Sequence, residues 1–188
     1  MSVATREING TTLPAAGTWV LDPSHSHFGA VARHLVVTKV RGEFGEVAGS
    51  FTIAEDPAES SAELTIQAAS ITTGTEDRDN HLKSPDFLDV DNFKELRFRS
   101  TSLELDGTSG KIHGDLTIRD ITKPITLDFE FLGVITDPFG NDKAAFNAAG
   151  ELNREEWGLV WNVPLESGGL LVSKTFKLEI EAQAVLQS

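Results

Sequence analysis

From Ser26 onward, apolar and polar residues alternate along most of the chain, the pattern of strands buried on one side only. In the first such run Ser26, Phe28, Ala30, Ala32, His34 and Val36 share one face, and His27, Gly29, Val31, Arg33 and Leu35 share the other. Pro23 predicts a bend just before it. Gly42 and Gly45 interrupt the next run, which resumes as Val47, Gly49, Phe51 and Ile53. Leu64, Ile66 and Ala68 continue the pattern. It returns at Phe98 and runs through Ile112, Gly114, Leu116 and Ile118, then Ile125, Leu127, Phe129 and Phe131, then Ala144, Phe146, Ala148, Gly150 and Leu152. The last run is the cleanest, with Phe176, Leu178, Ile180, Ala182 and Ala184 set against Thr175, Lys177, Glu179, Glu181 and Gln183. Turn signals at Asp56-Pro57, Asp106-Gly107 and Asp137-Pro138 separate these runs. The expectation is all-β, with about eight antiparallel strands.

Between Ser70 and Val90 the alternation stops. Thr73 and Glu76 have the spacing of a capping box, and Ser84-Pro85-Asp86 repeats a helix-start signal. Two short helical segments are predicted, Glu76 to Lys83 and Pro85 to Leu88. Leu82, Phe87, Leu88 and Val90 give this insert an apolar underside, so it reads as a lid. Residues 1–17 are small and polar and are expected to be a flexible N-terminal extension to a domain spanning 18–188.

Strands of this number pair as two sheets or close into a barrel. Closure removes long exposed edges, and the apolar faces are rich in small residues: Ala30, Ala32, Gly49, Gly114, Ala144, Ala148, Gly150, Ala182 and Ala184. Either a lumen is left open or the 11 phenylalanines fill it.

Charge narrows the partners. The net charge is −13, from 29 acids against 16 Lys and Arg. A nucleic-acid partner, which needs a basic face, is excluded, as is adhesion to an anionic membrane through charge alone. There are no cysteines, hence no disulfides or thiolate metal sites. The chain as given shows no signal-peptide pattern, and a cytoplasmic location is expected.

Candidate chemistry is sparse. His25 and His27 stand two apart, the spacing of a shared strand face, with Asp22 and His81 as conceivable further ligands. No third ligand stands at metal spacing, and no metal is expected. Arg78 and Asp79 with His81 resemble acid–base machinery, but no nucleophile with a base accompanies them. An enzyme, a hydrolase or isomerase acting on a lipid-like substrate through His25, His27, His81 or Asp79, is the alternative to a binding protein. His34, on an inward face, needs a hydrogen-bond partner, either a neighbouring side chain or a polar ligand head.

The segments WVLDPSHSHFGAVARHL, VRGEF, SITTGTEDRDNHLKSPDFLDV, FRSTSL, HGDLTIRDITKPITLDF and LNREEWGL occur in that order from Trp19 to about Val185. Together they resemble the YceI-like family. The resemblance implies a lipocalin-like, extended antiparallel β-barrel whose lumen binds polyisoprenoid chains or similar amphiphilic lipids, with no catalytic residues and no cofactor beyond the bound lipid. Where the family often has bulkier residues, this chain has Ala30 and Ala32, which widens or lengthens the lumen. On this reading Phe28, Ala30, Ala32, His34, Phe51, Leu116, Phe129, Phe146 and Phe176, with Leu82 and Phe87 of the insert and Trp157 at one end, form the ligand site. Transient contact with a membrane for lipid exchange, and a homodimer, are the other partners it allows.

A strand of about 11 residues, tilted by about 40°, gives a barrel roughly 28 Å tall. An acyl chain leaves much of that empty unless side chains plug one end, so a long isoprenoid is the expected ligand. A pyrophosphate head would call on Arg33, Lys39, Arg41 and Arg78. The acidic balance instead favours an uncharged head such as a quinone.

Overall fold

The computed structural model describes residues 3–187 except 36 and 167, so the inward placement expected for Val36 lies outside the described residues. In chain order the strands are β1 (Thr5–Ile8), β2 (Thr11–Pro14), β3 (Gly17–Leu21), β4 (His27–His34), β5 (Thr38–Phe44), β6 (Val47–Ile53), β7 (Ser61–Gln67) and β8 (Ile71–Thr72). A helix, α1 (Glu76–Lys83), follows, then β9 (Glu95–Asp106), β10 (Ser109–Ile118), β11 (Ile121–Thr136), β12 (Asp142–Asn153) and β13 (Thr175–Leu186).

Three of the early strands are broken in two. β3 and β4 both pair with β13, Leu21 opposite Ala184 and Phe28 opposite Ile180, so together they occupy one strand position. β5 pairs with β4 and β6 with β3, making a second position broken at Gly45, where the sequence predicts a bend. β7 and β8 make a third, broken by the turn Ala68–Ser70. With β9 to β13 this gives eight antiparallel positions in chain order, and pairing of β12 with β13 closes the barrel. Closure leaves each strand one face toward the lumen and one toward water, which is the physical origin of the alternation.

The break between β3 and β4 is held by one carboxylate. Asp22 accepts from the Ser24 amide (3.1 Å) and hydroxyl (2.6 Å), lies 2.8 Å from His25 Nδ1, and accepts from Lys143 Nζ of β12 at 2.9 Å. The bonds from Lys143 and Ser24 hold its carboxyl far below the usual range, although burial pushes the other way. Asp22→Asn is expected to cost about 1–2 kcal/mol at pH 7. A depressed carboxyl contributes stability above its unfolded pKa and loses it as pH falls, so the deficit should shrink below about pH 4. Urea unfolding of both proteins at pH 7, 5 and 3.5 measures this; a deficit unchanged over that range means the charge plays no part.

The expected loose extension is instead ordered over most of its length. β1 and β2 form a hairpin, Ile8 opposite Thr11. Its two-residue loop is Asn9-Gly10, both with positive φ (51° and 79°), as a type I′ turn requires. Leu13 is buried against Trp19, Phe131, Ala144 and Ala184. The Ala4 amide donates to Asp142 (3.2 Å), and Arg6 donates to the Glu55 carbonyl (3.0 Å). Strands of four residues are too short to show a period, which is why composition alone misled.

The insert differs from expectation in its details. α1 has the predicted bounds, but its N-cap is Thr75. Thr73, the expected capping residue, donates to Asp79 instead. The segment from Pro85 to Leu88 is a chain of turns, not a helix. The amides of Phe87 and Asp89 both return to the Ser84 carbonyl (3.0 and 2.9 Å), and Asp89 has φ +49°. The Ser84 hydroxyl does accept from the Asp86 amide (3.3 Å). That start signal is therefore real, but it starts a turn too short to propagate.

Candidate functional site: an apolar cavity beneath the insert

A cavity of about 610 Å³ lies within the barrel. Its wall is almost wholly apolar and is built from the inward face of nearly every strand. Phe28, Ala30, Ala32, His34, Phe51, Leu82, Phe87, Leu116, Phe129, Phe146 and Phe176 all line it. Trp157 does not. It is buried in the wall at the turn Arg154–Trp157, with its indole N–H donating to the Leu116 carbonyl (3.0 Å). Trp161, four residues on, does line the cavity.

The small residues divide into two groups. Ala30, Ala32, Ala148 and Ala182 face the cavity and leave room in it. Gly49 and Gly114 do not line it and leave no room: a Cβ at Gly49 would sit 2.1 Å from the Glu63 carbonyl oxygen, and one at Gly114 2.4 Å from the Phe98 ring. They are glycines because neighbours press on them, a correction to the expectation that they open the lumen. Ala144 and Ala184 belong to the second core cluster, with Leu13, Trp19 and Phe131. That cluster and the β1–β2 hairpin plug one end of the barrel, where Leu13 and Phe131 also line the cavity.

The other end lies under the insert. His81 of α1 stands edge-on to Trp161 (ring centroids 4.4 Å apart) and to Phe87 (5.1 Å), and Phe87 lies 5.5 Å from Trp161. His81 Nε2 is 2.9 Å from Asp86. Phe87 is buried and presents to the cavity, so these three rings form its cover.

α1 is tied to the barrel by Asp79. Burial pushes its carboxyl up, but bonds from the Thr73 and Thr72 hydroxyls and the Thr73 amide outweigh this and hold it below its ordinary value. Arg78 donates to the Thr73 hydroxyl (2.7 Å) and carbonyl (3.1 Å) and to the Thr75 hydroxyl (3.0 Å). Both residues are thus fasteners of the insert, engaged with threonines.

The histidines do not assemble a metal or acid–base centre. His25 sits in the turn before β4 with Asp22, whereas His27 pairs with Glu43 across β5 (3.0 Å). They do not share a strand face, as their spacing predicts. Among the described residues no three His, Cys, Asp or Glu side chains converge as metal ligands. Ser24 Oγ lies 3.0 Å from His25, but at the same Nδ1 that faces Asp22. A relay needs the two contacts on different ring nitrogens. The His34 ring lines the cavity and has no hydrogen-bond partner among the described residues.

One polar residue of the wall was not anticipated. Arg154, at the end of β12, is fully buried and lines the cavity. Its Nε donates to the Ser173 carbonyl (3.0 Å) and Nη1 to the Leu159 carbonyl, while Nη2 has no partner among the described residues. The guanidinium carbon stands 5.7 Å from the centre of the Phe87 ring. Asn153 caps this turn by accepting from the Glu155 amide (3.1 Å), and Gly158 closes it with φ +73°.

Comparison with known proteins agrees with the barrel. A UPF0312 protein of Staphylococcus aureus is 37% identical over 171 residues, which cover 88% of this chain and 95% of the relative. The solved YCEI protein of Campylobacter jejuni is 28% identical, with a TM-score of 0.71 over 83% of this chain and 90% of its own. Two more distant structures share the fold. BcnA of Burkholderia cenocepacia has a TM-score of 0.75 at 17% identity, covering 87% of this chain and 99% of its own. A polyisoprenoid binding domain from Saccharophagus degradans has 0.67 at 13%, covering 90% and 98%. The profile of the YceI-like domain matches residues 19–184, from the first barrel strand almost to the end of the last, and the chain belongs to that family.

Proposed function

We propose that this protein is a non-catalytic carrier that holds a long apolar isoprenoid-type lipid, a polyisoprenoid or an isoprenoid quinone, inside the barrel. The observation that carries the reading is the covered apolar cavity of about 610 Å³. At roughly 30 Å³ per water-sized group, it accommodates about 20 carbons, or about four isoprene units. The polyisoprenoid binding domain with the same fold supports the ligand class. A longer tail extends through the mouth or displaces the plug. Burial of about 20 carbons at about 0.8 kcal/mol each gives nominally 16 kcal/mol, of which ordering a flexible chain removes a substantial part. Enough remains for slow release into water, so exchange calls for an apolar acceptor. Leu35, Val37 and Val160, exposed beside mouth residues His34 and Trp161, support transient contact with a membrane. No helix among the described residues is long and apolar enough to cross one.

Mass spectrometry of an organic extract of the purified protein tests the proposal. A prenyl lipid recovered unchanged after prolonged incubation is the expected result. Lipid-free protein removes the carrier reading, and progressive conversion of the lipid transfers the case to the enzyme.

A further inference from the structure

Three arginines have a buried N–H without a partner among the described residues: Arg6, Arg119 and Arg154. Arg6 is neutralised by Glu55 (3.1 Å) at the plugged end. Arg119 lies 3.8 Å from Asp89, over the Phe93 ring, and does not line the cavity. Arg154 alone combines full burial, a place in the cavity wall and no ion pair with an acid among the described residues. The adjacent carboxylate, Glu155, pairs with Lys174 instead (2.9 Å).

A guanidinium is a rigid planar fork. Nε and Nη1 of this one donate to the Ser173 and Leu159 carbonyls, and its carbon lies near the Phe87 ring, so Nη2 is the nitrogen without a partner among the described residues. An unpaired donor at such a site costs about 1–3 kcal/mol, more when charged. Burial holds the Arg154 pKa below its ordinary value, with Glu155 offsetting part of that. Nη2 is itself closed to water-sized access, so a ligand oxygen in the cavity meets it only by displacing the side chains between, and Phe87 stands beside Arg154 at the covered end.

We infer that Arg154 anchors the head of the luminal ligand, Nη2 donating to an acceptor oxygen: a quinone carbonyl, a carboxylate or a phosphate. The ligand then lies head under the insert and tail toward Leu13 and the hairpin plug. The inference rests on the carrier reading. It also revises the head-group argument, because the local charge at the head is positive despite an acidic chain.

The test uses stripped wild-type protein and three isoprenoid probes of about 20 carbons: a tetraprenyl quinone, the carboxylic acid and the saturated hydrocarbon. Each competes against a fluorescent lipid. The quinone, the acid or both should bind about tenfold or more tightly than the hydrocarbon. Arg154→Met should bring all three to within about threefold of one another by removing the charge-assisted bond. Arg154→Lys should restore preference for the acid more than for the quinone, since lysine supplies charge without the fork. Loss of the acid's advantage when the acid is protonated identifies an anionic head; a quinone advantage indifferent to pH identifies a carbonyl. If wild type binds the hydrocarbon as tightly as both oxygen-bearing probes, the ligand does not reach Nη2 and the anchor is refuted while the carrier stands. If none binds, both fall. The wild-type series decides even where a variant fails to fold.

Discussion

Replacing Ala30 or Ala32 by tryptophan is expected to empty the barrel while leaving it folded. Both alanines lie on β4 and line the cavity. Across the ladders from Ala30 stand Gly42 and Leu178, and across from Ala32 stands Val40, so on the β5 side of Ala30 the wall carries little bulk. An indole at either position enters the space in which the ligand is proposed to lie. Bound lipid should fall by about tenfold or more, while unfolding free energy changes by about 1 kcal/mol or less, since the new ring is buried against apolar wall. In a filled core the same substitutions overpack, typically costing about 1–3 kcal/mol or more, with no lipid to lose. Glu130→Trp, exposed on β11 beside the lining Phe129, is the control and should keep its lipid. Extraction and mass spectrometry, with denaturant unfolding of the same samples, read both quantities. Undiminished lipid in both alanine variants places the ligand elsewhere.

The barrel was legible because closure puts every strand under one rule: one face to the lumen, one to water. Nine expected site residues line the cavity for that reason alone, and Leu82 and Phe87 line it from the insert. The breaks in the early strands were only partly legible. Pro23 and Gly45 mark two of them, but nothing local shows that β3 and β4 share one partner strand 150 residues away. The β1–β2 hairpin was readable from Asn9-Gly10, the strongest short hairpin signal there is, and was missed by weighting composition over turn chemistry. In the insert, α1 is long enough for its pattern to hold, whereas Ser84-Pro85-Asp86 carries the same start signal into a segment that ends at Asp89.

The site failed to show itself where side-chain direction is not set by a strand. Trp157 sits in a 3₁₀ turn, so its proximity to lumen residues in sequence does not give its direction. A small residue has two opposite explanations, space or pressure, and only the neighbours decide: Ala148 has the cavity before it, Gly114 the Phe98 ring. Arg154 stands in Asn-Arg-Glu-Glu, a run that composition assigns to water. Its burial comes from Leu159, Ser173 and Phe87, which only the closed fold brings together.

Truncating Trp157 to alanine should produce the largest loss of stability of any substitution considered, without acting through the ligand. The indole is 1% exposed and belongs to the main core cluster, not to the cavity lining. Large-to-small changes of this kind cost about 3–5 kcal/mol. Losing the N–H also strands the Leu116 carbonyl it satisfies, for about 1 kcal/mol more. A domain stable by about 5–15 kcal/mol survives this only with a much lower unfolding midpoint. Trp157→Phe keeps most of the packing and removes the donor, so a cost of about 1–2 kcal/mol is expected. Both should be measured on lipid-stripped protein, because a ligand that binds only the folded state would mask part of the loss. The phenylalanine variant should then reload lipid as wild type does, since the wall behind Leu116 is kept and the lumen is unchanged. A Phe variant of wild-type stability that cannot hold lipid would make Trp157 a ligand contact after all, and would require the turn at Arg154 to open toward the lumen when a ligand enters.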